Sequence, residues 1–353
     1  MIEIFKLFNI EGEPVSVEPY GNGHINQTFL AVTDKRRYIL QRINNSIFTD
    51  VDGLMSNISS VGEFLAERDP DPRHVLMPIH TLEGGLYALV DGAYWRLYNF
   101  IEGSVCLDKV ESAADFEMSA FAFGDFQKRL AEFPAHTLTE TIRKFHDTPD
   151  RYRIFKEALA ADPLGRAKDC QAEIEFALAH EQIAGIMTGM LAKGELPLRV
   201  THNDTKLNNV LLDAETRQPL CVIDLDTVMP GLAGNDFGDS IRFGATTGAE
   251  DEQDLSKVNF DMELYTAYAR GFIGACGESL TENEIRTLPM GAILMTLECG
   301  VRFLTDHILG DTYFRIHREN HNLDRCRTQF KLVADMEARK DEMLDVVLKL
   351  SGR

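Results

Sequence analysis

The first hundred residues have the hydrophobic and polar pattern of a small β-rich region. Four runs rich in β-forming residues predict strands: 28–32, 38–43, 86–90 and 94–99. The dipeptide Asp91-Gly92 between the last two runs is typical of a hairpin turn. Apolar residues at spacings of three and four predict one helix over 50–68, which the prolines at positions 70 and 72 end.

After Gly103 the pattern becomes helical. Apolar residues recur at helical spacing over 112–132, 171–193, 260–276, 281–309 and 323–348. Thr281 and Glu284 form a capping-box sequence that places one helix start. One strand pair, 210–212 with 220–225, interrupts the helices. The pattern predicts an α+β protein, with a small β-rich N-terminal lobe over 1–100 and a larger, mainly α-helical lobe over 101–353.

Composition and charge narrow the class of protein. The 353 residues carry 36 Lys and Arg against 56 Asp and Glu, a formal net charge of -20. This acidic balance argues against a nucleic-acid partner or a polybasic membrane binder. No uninterrupted run reaches the roughly 18 apolar residues of a membrane span. With no signal-peptide pattern at the N-terminus and no CxxC pair, we expect a cytoplasmic protein with reduced cysteines, a monomer or weak homodimer.

Two polar segments carry the candidate chemistry. The segment 201–209 contains Asp204 and Asn209, and Asp224 and Asp226 follow the apolar run Val222-Ile223. A strand that ends in carboxylates, near a loop with another carboxylate and an amide, provides the hard oxygen ligands that Mg²⁺ prefers. Phosphoryl transfer needs that metal and a carboxylate to take or orient the proton of the nucleophile. The pattern therefore predicts a divalent-cation site with a nearby carboxylate, as phosphoryl transfer requires.

The order His202-Asn203-Asp204, Asn209 and Ile223-Asp224 resembles the catalytic and metal motifs of the aminoglycoside phosphotransferase and choline kinase group. That group shares its core with the protein kinases, so the resemblance implies a two-lobed protein-kinase-like fold. It also implies that Asp204 is the catalytic base and that Asn209 and Asp224 hold Mg²⁺. For Asp226 it leaves two roles open, a second metal or the orientation of the loop.

The resemblance extends to the region expected to bind ATP. The segment 21–28 is similar to the turn over the nucleotide phosphates, where glycines let the backbone approach phosphate closely. The residues implied there are Gly21, Gly23, Asn26 and Thr28. The segment 95–103 resembles the hinge between the lobes, where the backbone of Asn99 and Ile101 would pair with adenine.

One position departs from the pattern of the group. The strand over 38–43 normally ends with a Lys or Arg directed at the phosphates, and here Gln41 occupies that position. Because side chains alternate along a strand, Arg42 would point to the opposite face. Either Gln41 makes a neutral hydrogen bond to phosphate, or a slip or bulge in the strand brings in Arg42.

Further segments resemble the N-acetylhexosamine 1-kinases, the anomeric sugar kinases of this group. They are 23–26, 38–41, 123–127, 145–149, 236–245 and 302–306. The implied reaction is ATP-dependent phosphorylation of the C1 hydroxyl of N-acetylglucosamine or N-acetylgalactosamine. The implied sugar contacts are His24, Asp204, Phe243, Arg302 and Tyr313. A purely structural role is open for Arg302, which has Glu298 and Asp306 at helical spacing as ion-pair partners.

Two alternatives remain from the sequence. One is a related small-molecule kinase of the aminoglycoside, choline or homoserine type, whose cationic acceptors would require carboxylates in the pocket. The other is a nucleotide-binding pseudokinase, suggested by the missing basic residue at position 41.

Overall fold

The computed structural model describes residues 1–21 and 25–353. The chain divides into two compact units. The first unit comprises Met1–Cys106, Glu132–Arg143 and Val210–Pro230, and the second comprises Leu107–Ala131, Lys144–Asn209 and Gly231–Arg353. The first contains most of the β-structure and the second most of the helices, so the predicted α+β class is confirmed.

The elements are as follows. The strands are β1 (Pro14–Pro19), β2 (Gln27–Thr33), β3 (Arg37–Arg42), β4 (Ala88–Val90), β5 (Ala93–Asn99), β6 (Ser104–Cys106), β7 (Arg199–Thr201), β8 (Val210–Asp213), β9 (Pro219–Val222) and β10 (Met229–Gly231). The helices are α1 (Ile2–Phe5), α2 (Val51–Ala66), α3 (Ala113–Arg129), α4 (Thr148–Ala161), α5 (Gln171–Ala184), α6 (Ile186–Ala192), α7 (Ala233–Gly244), α8 (Met262–Cys276), α9 (Glu282–Leu309), α10 (His321–Ala338) and α11 (Lys340–Ser351).

The first unit is built on a five-stranded antiparallel sheet in the order β1-β2-β3-β5-β4. Because side chains alternate across a sheet, Tyr38, Leu40 and Leu97 share one face and form a core with Phe5 and Phe8. The register places Thr28 opposite Gln41, and Gln41 opposite Arg96. These three residues form a polar row across β2, β3 and β5.

Several helices differ from the sequence prediction. The stretch 171–193 is two helices, α5 and α6, which meet at Gly185, and the last predicted helix is likewise two, α10 and α11. The capping box of Thr281 and Glu284 at the start of α9 is confirmed. Helix α7 was not predicted, because its three glycines give it a low intrinsic helix propensity. Packing against α9 supplies the stability that its sequence lacks.

Helix α9 is long and apolar enough to cross a membrane by length and composition, and 78% of its most apolar window is buried inside the protein. Polar residues are spread along α9, so the helix contains no uninterrupted apolar run of the length that the sequence criterion required. Helices α4, α7 and α10 pack around α9. It is the central core helix of the second unit.

Glycines let α7 and α9 touch backbone to backbone. A Cβ atom on Gly238 would lie 2.3 Å from the carbonyl oxygen of Gly291, and one on Gly291 would lie 2.3 Å from that of Gly234. Real Cβ atoms do not approach backbone this closely, so the helices would have to separate if either position carried a side chain. This contact sets the distance between α7 and α9.

We predict that Gly291→Ala destabilises the protein by about 1–3 kcal/mol or more, because overpacking forces the two backbones apart. The matched control is Gly274→Ala, in the interior of α8, where a new Cβ meets nothing within 4 Å. That change should stabilise by up to about 1 kcal/mol, since Ala favours helix over Gly. Urea unfolding measures both, and equal effects of the two changes would contradict the close contact.

Candidate active site

The loop after β7 brings together two residues that the sequence singled out. Asp204 and Asn209 lie on either side of a turn, and the Asn209 side-chain amide donates to the Asp204 backbone carbonyl at 2.7 Å and to its carboxylate at 3.2 Å. The Nζ atom of Lys206 lies 2.8 Å from the other carboxylate oxygen. Lys206 was not assigned a role from the sequence, although it stands inside the polar segment 201–209.

Side chains of helix α7 form hydrogen bonds to the backbone of this loop. The buried carboxylate of Asp236 accepts the backbone N–H groups of His202 at 2.9 Å and of Asn203 at 2.8 Å. One turn later Asp239 accepts the backbone N–H of Thr205 at 3.0 Å, and the hydroxyl of Ser240 donates to the Thr205 carbonyl at 2.6 Å. The three side chains lie on one helix face because they are spaced by three and four residues. The segment 236–245 therefore acts on the conformation of the catalytic loop.

Two carboxyl groups of the site have shifted pKa values of opposite sign. Burial alone would raise the pKa of Asp204, but the charge of Lys206 and its hydrogen bond outweigh burial and lower it. Asp204 is therefore ionised at neutral pH. Burial raises the pKa of Asp236, and the two backbone N–H groups that favour its charged form offset this only in part.

A second connection runs from the loop to α9. His146 has Nε2 at 3.2 Å from the carbonyl oxygen of Asn203 and Nδ1 at 3.0 Å from Glu298. The hydroxyl of Thr148 donates to the other oxygen of Glu298 at 2.7 Å. Burial would raise the pKa of Glu298, but the hydrogen bond and charge of His146 lower it. Glu298 is thus fully engaged with His146 and Thr148.

One helical turn beyond Glu298, the guanidinium of Arg302 lies among aromatic rings. It is 5.5 Å from the ring centre of Phe145, 5.8 Å from Tyr313 and 5.4 Å from Phe314. Neither acid at helical spacing pairs with it, so the ion pair considered from the sequence is not formed. Within 1–21 and 25–353, no carboxylate forms a salt bridge with Arg302.

The reason is that Asp306 is engaged elsewhere. Its carboxylate accepts the backbone N–H groups of Thr312, Tyr313 and Phe314 at 2.8–2.9 Å. These bonds fix the turn that places the exposed Tyr313 and its neighbour beside Arg302. The structure therefore brings Arg302 and Tyr313 together, as two of the residues implied for the sugar.

Phe243 lies on α7 and lines a cavity of about 380 Å³ in the second unit. Arg302 and Tyr313 are not among the residues that line this cavity. Arg242 in the cavity wall contacts Glu250 at 2.8 Å and Asp239 at 3.2 Å, and Asp239 binds the catalytic loop. Arg242 and Asp239 therefore link the wall of the cavity to the loop of Asp204 by hydrogen bonds.

In the first unit, Asp224 and Asp226 follow β9 and differ in environment. Asp224 is exposed and has left-handed backbone angles, with φ at 59°. Asp226 is buried, with one carboxylate oxygen 2.5 Å from Nη1 of Arg96 and the other 2.6 Å from Nδ2 of Asn26. Of the two roles left open for Asp226, these contacts favour orientation of the loop.

The residues implied for ATP lie as follows. Gln41 stays in regular register on β3, and its amide donates to the hydroxyl of Thr28 at 3.0 Å. The slip that would bring in Arg42 does not occur, and Arg42 is exposed on the other face. Gly21 has φ at 74°, while Gly23 and His24 lie outside the described residues.

At the end of β5, Asn99 pairs with Tyr38 in the sheet. The carbonyl of Ile101 accepts the hydroxyl of Ser104 at 2.7 Å. The backbone N–H of Ile101 has no acceptor among the residues that the structure describes. It is therefore a donor available to a ligand.

The side chains present suit Mg²⁺. In the second unit, Asn209 uses its amide nitrogen within the loop, which leaves its oxygen for a metal. In the first unit, Asp224 is an exposed residue with a carboxylate side chain. Both are hard oxygen ligands of the kind Mg²⁺ takes together with water and phosphate. Outside positions 22–24, no group of three or more His, Cys, Asp and Glu side chains could hold a metal.

We predict that Asp236→Ala lowers the free energy of unfolding by several kcal/mol. It leaves two buried N–H donors without an acceptor, at about 1–3 kcal/mol each. The matched control is Asp213→Ala, because Asp213 also accepts two backbone N–H groups, from Glu215 and Thr216, in an exposed turn. Water replaces that acceptor, so the control should lose about 1 kcal/mol or less. Urea unfolding compares them, and similar losses would contradict the anchoring role.

Comparison with known proteins places these features in a family. The model of the phosphotransferase enzyme family matches residues 16–271. A microcompartment-associated aminopropanol kinase is 14% identical, with a TM-score of 0.62 and 97% of each chain covered. A spectinomycin phosphotransferase, solved with ADP and spectinomycin, is 15% identical, with a TM-score of 0.59 and 97% of each chain covered.

A choline kinase from Cryptosporidium parvum Iowa II is 14% identical, with a TM-score of 0.59, and the match covers 99% of this chain and 98% of that one. At such identity these structures establish the fold alone, and they confirm the expected protein-kinase-like class. The family match covers most of the sequence, including the loop of Asp204 and the segment of Asp224. The chain belongs to the phosphotransferase enzyme family.

Proposed function

We propose that the protein is an ATP-dependent kinase that phosphorylates the C1 hydroxyl of an N-acetylhexosamine. The observation that carries this proposal is the guanidinium of Arg302, which lies among three aromatic rings one turn from Glu298 and forms no salt bridge with the residues that the structure describes. His146 connects Glu298 to the backbone of the catalytic loop. A ligand bound at Arg302 would be held by the same elements that position Asp204.

The guanidinium groups at this position bear on the class of acceptor. Burial, and next the charge of Arg302, lower the pKa of Arg151, so two guanidinium groups lie close enough to repel each other. The charges of Glu298 and Asp150 act on Arg151 in the opposite sense, so the site contains charges of both signs. It favours a neutral acceptor rich in oxygen atoms, because guanidinium offers five N–H donors and accepts none.

The aromatic side chains fit the other half of a sugar. The ring of a hexose has an apolar face, and Tyr313 and Phe314 form an edge-to-face pair beside Arg302. Phe243 lines a cavity of the same unit, whose volume of about 380 Å³ falls within the roughly 300–1,000 Å³ typical of small-molecule pockets. We assign His24, Phe243, Arg302 and Tyr313 to the sugar, and Asp204 to its anomeric hydroxyl.

Asp204 acts mainly by orienting the hydroxyl. Its lowered pKa makes it a weak base, but the ring oxygen makes an anomeric hydroxyl more acidic than an ordinary alcohol. Lys206, held at 2.8 Å from Asp204, places a positive charge beside the reacting oxygen. Phosphoryl transfer has a loose transition state, so positioning and charge neutralisation are the main requirements.

For the nucleotide, we assign Gly21, Gly23, Asn26, Thr28 and Gln41 to the phosphates. The backbone of Asn99 and the free N–H of Ile101 are assigned to the adenine edge. Asn209 and Asp224 are assigned to Mg²⁺, which when bound neutralises charge on the phosphate oxygens.

We predict that the protein releases ADP from Mg-ATP with N-acetylglucosamine or N-acetylgalactosamine, and that the product is acid-labile, as an anomeric phosphate is. The acceptor panel adds plain hexoses, choline, homoserine and an aminoglycoside. Asp204→Asn is the matched control, nearly isosteric and uncharged. It should lower kcat by about 10²–10⁴, the range for a positioned acid or base.

Three other outcomes would redirect the proposal. Turnover with only choline, homoserine or the aminoglycoside would keep Asp204 and overturn the sugar assignment. Mg-ATP binding without turnover on any acceptor would favour a pseudokinase. Turnover that survives in folded Asp204→Asn would remove Asp204 from the chemistry.

A separate prediction concerns Arg302. Arg302→Ala should raise the KM for the sugar about 10- to 100-fold, because a hydrogen bond to a charged group contributes about 1.5–3 kcal/mol. The KM for ATP should stay within about twofold. Arg270→Ala is the control, since Arg270 is exposed in the same unit and pairs with Glu117. A loss of ATP affinity in Arg302→Ala would assign Arg302 to the nucleotide or to the fold.

A further inference from the structure

Arg96 is an almost fully buried cation in the sheet of the first unit. It is 1% exposed, on β5, directly beside Gln41 in the register. Removing a guanidinium from water is costly unless it is paired and hydrogen-bonded. In the polar row of Thr28, Gln41 and Arg96, the positive charge is on Arg96, whereas the side chain of Gln41 is neutral.

The contacts of Arg96 lie along that row and beyond it. Its Nε donates to the amide oxygen of Gln41 at 3.0 Å, and the Gln41 nitrogen donates to the Thr28 hydroxyl at 3.0 Å. Its Nη1 lies 2.5 Å from Asp226, two residues after Asp224. Arg96 therefore connects the strand of Thr28 with the loop of Asp224.

Asp226 extends the network to the turn expected over the phosphates. Its second oxygen accepts from Nδ2 of Asn26 at 2.6 Å, and the amide oxygen of Asn26 accepts the backbone N–H of Asn44 at 2.9 Å. The hydroxyl of Thr141 donates to the Asp226 carbonyl at 3.0 Å. Both carboxylate oxygens of Asp226 are thus occupied by nitrogen donors.

We infer that Arg96 is a positioning residue for the nucleotide, and that Asp226 is its counter-ion and not a metal ligand. Arg96 is too buried to act on a ligand directly, so it acts through Asp226 and Gln41. The ion pair keeps Asn26 and Thr28 in a fixed relation to the loop that carries Asp224. This inference rests on the proposed function only for its ATP-dependence, and not for the sugar.

The test separates positioning from stability with a neutralised pair. Arg96→Met leaves Asp226 buried without a cation, so the urea midpoint should fall and Mg-ATP affinity should drop at least tenfold. Arg96→Met with Asp226→Asn removes both charges, so the urea midpoint should recover substantially while Mg-ATP affinity stays at least tenfold weak. Unfolding is followed by the fluorescence of Trp95, the single tryptophan, and binding by calorimetry without an acceptor.

Full recovery of Mg-ATP affinity in the double variant would show that the pair is only structural and would overturn the inference. If Arg96→Met does not fold, Arg96→Lys keeps the charge but cannot reach Gln41 and Asp226 together, and its affinity should be intermediate. Wild-type affinity in Arg96→Lys would overturn the positioning role. The control is Arg36→Gln, which breaks the exposed pair with Glu11 in the same unit and should leave affinity within about twofold.

The role of Asp226 has its own readout. ATP affinity is measured with and without Mg²⁺, and Asp226→Asn should weaken both values by a similar factor. If Asp226→Asn removes only the gain that Mg²⁺ provides, Asp226 is a metal ligand and this part is wrong. Wild-type protein that binds Mg-ATP but phosphorylates no N-acetylhexosamine would refute the sugar assignment and leave the inference intact.

Discussion

The buried carboxylate of Asp236 is the constraint on which the loop that contains Asp204 depends. The loop exposes successive backbone N–H groups, at His202 and Asn203, to the protein interior, where water cannot satisfy them. A carboxylate can accept both at once, and Gln127 donates a third hydrogen bond to it. Burial raises the pKa of Asp236, so the protein stabilises the loop at some electrostatic cost. That cost is compensated by the donors that would otherwise be left unpaired.

The same device recurs at Asp306, which binds three backbone N–H groups of the turn carrying Tyr313. In both cases a carboxylate on a packed helix, α7 or α9, determines the conformation of an irregular segment that carries a candidate site residue. The glycine contact between α7 and α9 holds the two helices at one separation. The packed pair of helices α7 and α9 therefore positions both Asp204 and the cluster around Arg302 in the second unit.

The sequence indicated the parts of the site that are local and left out those that are distant. Asp204 and Asn209 are five positions apart in one polar segment, so their proximity followed from the segment itself. The sequence indicated Asp236 only as part of the segment 236–245, because its partners are backbone N–H groups, which have no signature in the sequence. The missing cation at Gln41 was visible, but the position of Arg96 beside Gln41 was not, since it depends on strand order and register. The pairing of Arg96 with Asp226, 130 positions away, is equally invisible before folding.

The net charge of the chain is a poor indicator of the class of acceptor that the protein would bind. The chain carries a formal charge of -20, which would suit a cationic substrate if charge acted as a whole. Solvent-exposed charges are screened beyond a Debye length of about 8 Å at physiological ionic strength, so the groups next to the acceptor decide. Around Arg302 those groups include the guanidinium of Arg151 and the carboxylate of Glu298, whose charge acts on both arginines. The charges at this position are therefore of both signs, and the net charge of the chain does not by itself select a class of acceptor.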